Sequence, residues 1–281
     1  MRTASFVFGI EYNFSVPTPF YHLSISQALL CHPALPEEVR GFLSAWRSEF
    51  LFGATAADVQ VVSGQSRECT HFFDLPILPG LPTPWQALLC QYPALADAPS
   101  LPPEHAAFLA GYLCHLQADY RWVQEIFAPV FGPHCPWGSF GERLYLHNVL
   151  RSYLDRCVLP ELAGQHTCLS QVEPQGWLPF TADQHLRTWR DLLFPQLCPG
   201  ARVQTVEVFA ARQGMQAQDY YALLDSEERM RREVFVHLAP HQLESYRQDL
   251  LADNVQLLSS YLGGCSQDQL RSTATAEAKL S

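Results

Sequence analysis

A histidine and an aspartate four residues apart, in an otherwise apolar stretch, are the first residues that could do chemistry. They lie in Ala110-Gly-Tyr-Leu-Cys-His115-Leu-Gln-Ala-Asp119-Tyr-Arg-Trp122, and that spacing puts imidazole and carboxylate on one helix face. Trp122 and Ile126 continue the stripe on its apolar side. Facing a core, both polar groups are costly to bury unless something compensates them. They can bond each other and nearby backbone, or they can hold a metal ion. For this pair alone, mutual hydrogen bonding is the simpler reading.

Three further intrusions change the balance. His22 sits in an apolar helical pattern beside Leu23 and Ile25, and Asp58 ends the small apolar run Gly53-Ala-Thr-Ala-Ala-Asp58. His71 is flanked by aromatics in Arg67-Glu-Cys-Thr-His71-Phe-Phe-Asp74. Each has a plain explanation: a satisfied core histidine, a helix cap, a bond to a carbonyl. Together, His and Asp intruding repeatedly into apolar surroundings point to a metal site. Nitrogen and oxygen donors of this kind suit zinc, with iron or manganese as alternatives.

The ordered set His22, Gly53 to Asp58, Thr70-His71-Phe-Phe and Gly111-Tyr-Leu-Cys-His115-Leu-Gln-Ala-Asp119 resembles the zinc-dependent phospholipase C family. That family shares an all-α superfamily with the single-strand-specific zinc nucleases, and the resemblance covers about residues 17–160. It implies a buried site for two or three zinc ions at one end of a helix bundle. Asp58, His71, His115 and Asp119 resemble the ligands of one ion. Asp119 would bridge to a neighbour held by His22. His134 and His147 lie where the family places two ligands of a further ion. The family pattern continues His-x-x-x-Glu, but His147-Asn-Val-Leu-Arg151 has arginine in the glutamate position. Asp155 or Glu125 could substitute. The family's secreted members expose a processed amino terminus that binds metal. Val16 would be a natural start here, with residues 1–15 an upstream extension.

The chemistry implied is phosphoric-ester hydrolysis by a metal-activated water, with Asp58 or Asp74 taking the water's proton. The substrate would be a phosphoester or phospholipid. Two other readings are a non-catalytic helical protein retaining a degenerate metal site, with Arg151 holding a phosphate, and a single-strand nuclease. The nuclease reading needs bases stacked on aromatics, for which Phe72, Phe73, Tyr120 and Trp122 are candidates. His237 and His241 share helical spacing, but Pro240 breaks that geometry. His32, His105, His166 and His185 read as surface residues.

These residues must be positioned by helices. Apolar residues reach 48% of the chain and charged residues only 16%, which excludes a disordered chain. A net charge of −10 argues against a protein that binds duplex nucleic acid through a basic surface. No apolar run approaches the length of a transmembrane span. The nine cysteines are odd in number, scattered and without a CxxC, so buried reduced thiols such as Cys114 and Cys157 are expected. With no secretory signal in the sequence, a cytoplasmic protein is expected.

The periodicity predicts an all-α, multi-helix bundle of roughly eight helices, of the phospholipase C and nuclease type. Helices are expected near 20–31, 36–50, 85–91, 106–127, 140–162, 181–193, 217–237 and 242–262, with a short buried one over 51–58. Thr181-Ala-Asp-Gln184 reads as a capping box, and Val203–Phe209 is the one strand candidate. The expected organisation is a phospholipase C-like helical domain over 17–195. A C-terminal helical extension over 196–263 packs on the same core, and 264–281 forms a flexible tail.

Overall fold

The computed structural model describes residues 16–162 and 164–263. The expected upstream extension and the tail lie outside these residues. The fold is all-α, with fourteen α-helical segments and no strand among the described residues. The larger count arises where long periodic stretches are interrupted. The stretch 36–50 divides at Trp46, whose φ of −111° and ψ of 40° end one helix and start the next. The stretch 217–237 divides at Ser226, whose side chain accepts from the Arg229 amide and caps a new turn.

The helices that position the candidate residues are α1 (Pro19–Leu30), α2 (Glu37–Ala45), α3 (Arg47–Gly53) and α4 (Arg67–His71). With them stand α5 (Pro103–Trp122), α6 (Phe140–Val158), α7 (Asp183–Leu193), α8 (Thr205–Gln213) and α9 (Pro240–Leu262). Helix α5 is buried on almost every side from His105 to Asp119. That explains why its sequence is apolar all round rather than striped. Helix α9 packs back on it, and Tyr246 Oη donates to the Ala118 carbonyl at 2.9 Å.

Helices α3 and α5 approach at backbone distance. A Cβ on Gly53 would lie 1.9 Å from the Phe108 carbonyl oxygen, and one on Gly111 2.0 Å from that of Phe50. Only glycine permits this crossing. The closeness has a direct result: the Ala54 carbonyl, just past α3, reaches His115 on α5. The chain then tightens into a 3₁₀ turn, Ala56–Val59, which carries Asp58.

Helix α4 is short and held at its end. Tyr112 Oη donates to the Thr70 carbonyl at 2.6 Å, and Phe72 follows in the left-handed region at φ 59°. Phe72 packs edge-on against Tyr92 and Phe180, which offsets the cost of that conformation. At the start of α1, Thr18 accepts from the Tyr21 amide and donates to Asp155 of α6, tying the two helices together.

Several expectations are corrected. Val203–Phe209 is not a strand: α8 covers most of it, burying Val206, Phe209 and Ala210 at helical spacing. Thr181 does not cap α7; Ala182 takes that place, and the Thr181 hydroxyl donates to Gln65 instead. Cys114 is buried, but Cys157 is exposed. His105 is buried and bonded to the Trp177 carbonyl, not a surface residue. No helix among the described residues is long and apolar enough to cross a membrane.

Candidate metal centre

Five of the expected side chains meet in one buried cluster. His22 comes from the first turn of α1, Asp58 from the 3₁₀ turn, His71 from the end of α4, and His115 and Asp119 from α5. Asp119, with no exposed surface, is the hub. Its Oδ1 lies 3.1 Å from His22 Nε2, and its Oδ2 lies 3.2 Å from His71 Nε2 and 3.5 Å from His115 Nε2. Asp58 Oδ1 lies 3.7 Å from His71 Nε2. The His22 and His115 rings stack with centroids 3.8 Å apart.

The hydrogen bonds outside the cluster decide what faces inward. His115 Nδ1 is 2.8 Å from the Ala54 carbonyl, which can only accept. That nitrogen therefore carries the proton, and Nε2 turns a lone pair toward Asp119. His71 is arranged alike, with Nδ1 against the Thr70 hydroxyl and the Arg67 carbonyl. His115 Nε2 and His71 Nε2 face each other at 3.4 Å. His22 Nε2 and Asp119 Oδ1, although close, are not aligned for a hydrogen bond, and both atoms are buried without a partner. Lone pairs and carboxylate oxygens facing one another repel unless a proton or cation lies among them. Backbone-anchored histidines presenting the opposite nitrogen are the usual outer support of a metal site.

Without metal, protons fill that role. Burial pushes His115 down, but the adjacent Asp119 carboxylate outweighs it and the net shift is upward. His22 shifts down, through burial and the facing His115 charge. Asp119 is held well below the usual carboxylate range: the His115 charge and the close approach of the three histidines overcome burial. For Asp58, too, burial acts upward but the His71 bond and the His115 charge prevail, so it stays ionised.

Two overlapping sets could hold a metal ion: His22, His115 and Asp119, and Asp58, His71 and His115. His115 has only Nε2 to offer, so the two sets cannot both use it at once.

The other expected site residues are placed elsewhere. His134 is exposed on the loop before α6, and Asp74 is exposed beyond α4. His147 is buried, but its Nε2 accepts from Trp122 Nε1 at 2.9 Å among the rings of Trp122, Phe127 and Phe131. Burial and the Arg151 charge hold its pKa well below normal. Neither proposed substitute joins it as a ligand. Glu125 is exposed and paired with Arg121 at 2.7 Å. Asp155 accepts from the Thr18 and Thr205 hydroxyls, and burial pushes its carboxyl up to about 7.

Sequence reasoning passed over Arg67 and gave Arg151 a role only in the non-catalytic reading. Arg67 Nη2 donates to Asp119 Oδ2 at 2.9 Å, with 3% of its surface exposed. A signal existed, since Arg67 lies four residues before His71 and so on the same face of α4. Arg151 donates to the Val16 carbonyl at 2.6 Å and to Asn148. Both arginines and Asp58 line a cavity of about 430 Å³ beside the cluster. The cavity is also lined by Phe20, Trp189 and Phe209, with Val61, Leu192 and Val208 exposed at its wall. Phe72, Phe73, Tyr120 and Trp122 do not line it, so no stacking platform of those residues faces the site.

Comparisons with protein-family models, curated proteins and solved structures returned no match.

Proposed function

We propose that this chain is a metal-dependent phosphoric-ester hydrolase, with zinc as the metal, on a helical core related to the zinc-dependent phospholipase C enzymes. One observation carries the reading. Three histidine Nε2 atoms and two aspartates converge, with His22 Nε2 and Asp119 Oδ1 left without a hydrogen-bond partner, next to a cavity that is also lined by guanidinium groups. The donor set fits zinc, which favours imidazole nitrogen and carboxylate oxygen. When bound, zinc supplies a hydroxide equivalent from water near neutral pH and offsets charge on a phosphoryl oxygen.

The chain's own residues do the rest. His71 and His115 are held in one tautomer by Arg67, Thr70 and Ala54, so their Nε2 atoms stay directed inward. Asp58 is the cluster carboxylate on the cavity wall, so it takes the proton-accepting role at a side-chain oxygen. Asp74, exposed beyond α4, is not given that role. Val61, Leu192 and Val208 make the wall apolar, which suits an ester with an apolar substituent, as in a phospholipid.

A second reading, a non-catalytic helical protein with a degenerate metal site, draws support from Arg67, whose guanidinium already pairs with the central carboxylate. The test is elemental analysis of protein purified without added metal. Hydrolysis of short-chain phosphatidylcholine, a chromogenic phosphodiester and single-stranded DNA is then measured with and without zinc. Zinc-dependent turnover of either phosphodiester substrate supports the hydrolase; turnover confined to the DNA favours a nuclease. Zinc bound without turnover favours the second reading, and protein that takes up no metal overturns both.

A further inference from the structure

The cavity contains two cations whose hydrogen-bonding capacity is not used up. Arg67 and Arg151 are 3% and 4% exposed, and both line it. Arg67 spends Nη2 on Asp119 and lays its guanidinium over the Phe73 ring at 4.4 Å. Arg151 spends its terminal nitrogens on the Val16 carbonyl and Asn148, and lies 4.1 Å over the Phe209 ring. The Nε–H groups of both are buried without a hydrogen-bond partner. A buried donor left unmade is costly, more so on a charged group.

The charges are not matched either. Arg67 has Asp119 as counter-ion. Arg151 has no carboxylate within ion-pair distance among the described residues, and its interactions are with a carbonyl, an amide oxygen and a ring. A third arginine, Arg212, lines the same cavity. Burial and the Arg212 charge lower the Arg151 pKa to about 9. A nine-tenths buried guanidinium without a carboxylate counter-ion, in a cavity lined by further guanidinium groups, is an unfavourable arrangement that an anion relieves.

We infer that Arg151, with Arg67 lining the same cavity, forms a binding subsite for a tetrahedral oxyanion of the phosphate class, independent of any metal. Guanidinium groups recognise phosphoryl oxygens through charge-assisted bonds, several N–H groups acting at once. The apolar lining residues Val61, Leu192 and Val208 suit the substituent of a phosphate ester. The inference rests on the hydrolase reading only for the identity of the site, since it names the group that the same cavity holds. Its test requires no turnover.

The full chain, stripped of metal with a chelator, is titrated with inorganic phosphate. Binding is read by calorimetry and by the ¹H–¹⁵N signals of the arginine Nε–H groups, with acetate as a planar monoanion control. Saturable one-site binding is expected, with the Arg151 Nε–H signal shifting and acetate binding at least about tenfold more weakly. Arg151→Lys, which keeps a cation but loses the fork, weakens phosphate binding by about tenfold or more. The wild-type titration stands on its own if a variant fails to fold. No saturable phosphate binding, equal binding of acetate, or an Arg151→Lys protein that binds unchanged would each overturn the subsite. Phosphate binding in a protein that never hydrolyses an ester leaves the subsite standing and removes the hydrolase reading.

Discussion

Asp119→Asn separates the two jobs of the central carboxylate: counter-ion to Arg67 and hub of the three histidines. The amide keeps the shape and one acceptor oxygen but removes the charge. Arg67, 3% exposed and 2.9 Å from Oδ2, is then a buried cation without its counter-ion. Breaking one side of a buried pair costs about 3–5 kcal/mol. For a chain of this size, each kcal/mol moves Tm by roughly 2–4 °C. The metal-free variant should therefore melt roughly 10 °C below wild type. A double variant, Asp119→Asn with Arg67→Met, removes both charges and should recover most of the loss, because replacing a whole buried pair is often neutral. The zinc increment is independent of that comparison. A ligand at about a thousand times Kd adds about 4 kcal/mol to wild type, and Asp119→Asn should lose most of it. Scanning calorimetry with zinc and with chelator reads both effects. A single variant as stable as wild type without metal, and gaining as much from zinc, would refute the assignment of Asp119 to either job.

Four further outcomes are expected. Gly111→Ala forces a Cβ to within 2.0 Å of the Phe50 carbonyl; it should cost about 2–3 kcal/mol in thermal unfolding, whereas Gly41→Ala, whose Cβ meets nothing, should be neutral or slightly stabilising. Asp155 titrates near 7 when folded against an ordinary 3.8. Native Asp155 thus binds its proton more tightly, so its contribution falls as pH rises from about 4 to about 7 and is constant beyond. The gap amounts to roughly 4 kcal/mol at most. Asp155→Asn should therefore gain stability relative to wild type across that window, read from chemical denaturation at a series of pH values. Because the His115 pKa is raised in the metal-free cluster, protons compete for Nε2, and zinc affinity measured against a chromophoric chelator should fall from about pH 8 to about pH 6. His71→Ala should lower bound zinc in elemental analysis, while His134→Ala, on an exposed loop, should leave it unchanged.

The helical fold was legible wherever a helix had apolar residues at helical spacing. What periodicity does not encode is interruption. Trp46 ends α2 through backbone angles that nothing in 36–50 announces. Ser226 caps a turn inside a run that reads as continuous helix. Val203 to Phe209 alternates as a strand does, yet Val206, Phe209 and Ala210 also satisfy helical spacing, and tertiary packing chose the helix. Gly53 and Gly111 were visible inside their motifs, but no one-dimensional pattern says that two glycines far apart in sequence face each other's backbones.

The site shows the same division in chemical terms. His22, Asp58, His71, His115 and Asp119 stand out in sequence because a titratable group in an apolar segment needs compensation. The structure brings together those five residues. Asp74 follows the two aromatics after His71 and His134 lies between glycine and proline residues, and both are exposed. The burial of Arg67 and Arg151 escapes sequence reasoning because arginine is ordinarily a surface residue, and only the fold shows its guanidinium enclosed. Yet the arginines alter the charge balance most. Asp58 and Asp119 carry two negative charges on the site, and Arg67, Arg151 and Arg212 return three positive ones. A divalent ion added to that set leaves an excess of three positive charges, of which a phosphate dianion would neutralise two. A three-ion site would leave seven. His115 has a single ring nitrogen to give, and His147 is already bonded to Trp122. On both charge and ligand count, the proposed site has room for fewer ions than three, and the arginines would supply positive charge that a further metal ion would otherwise bring.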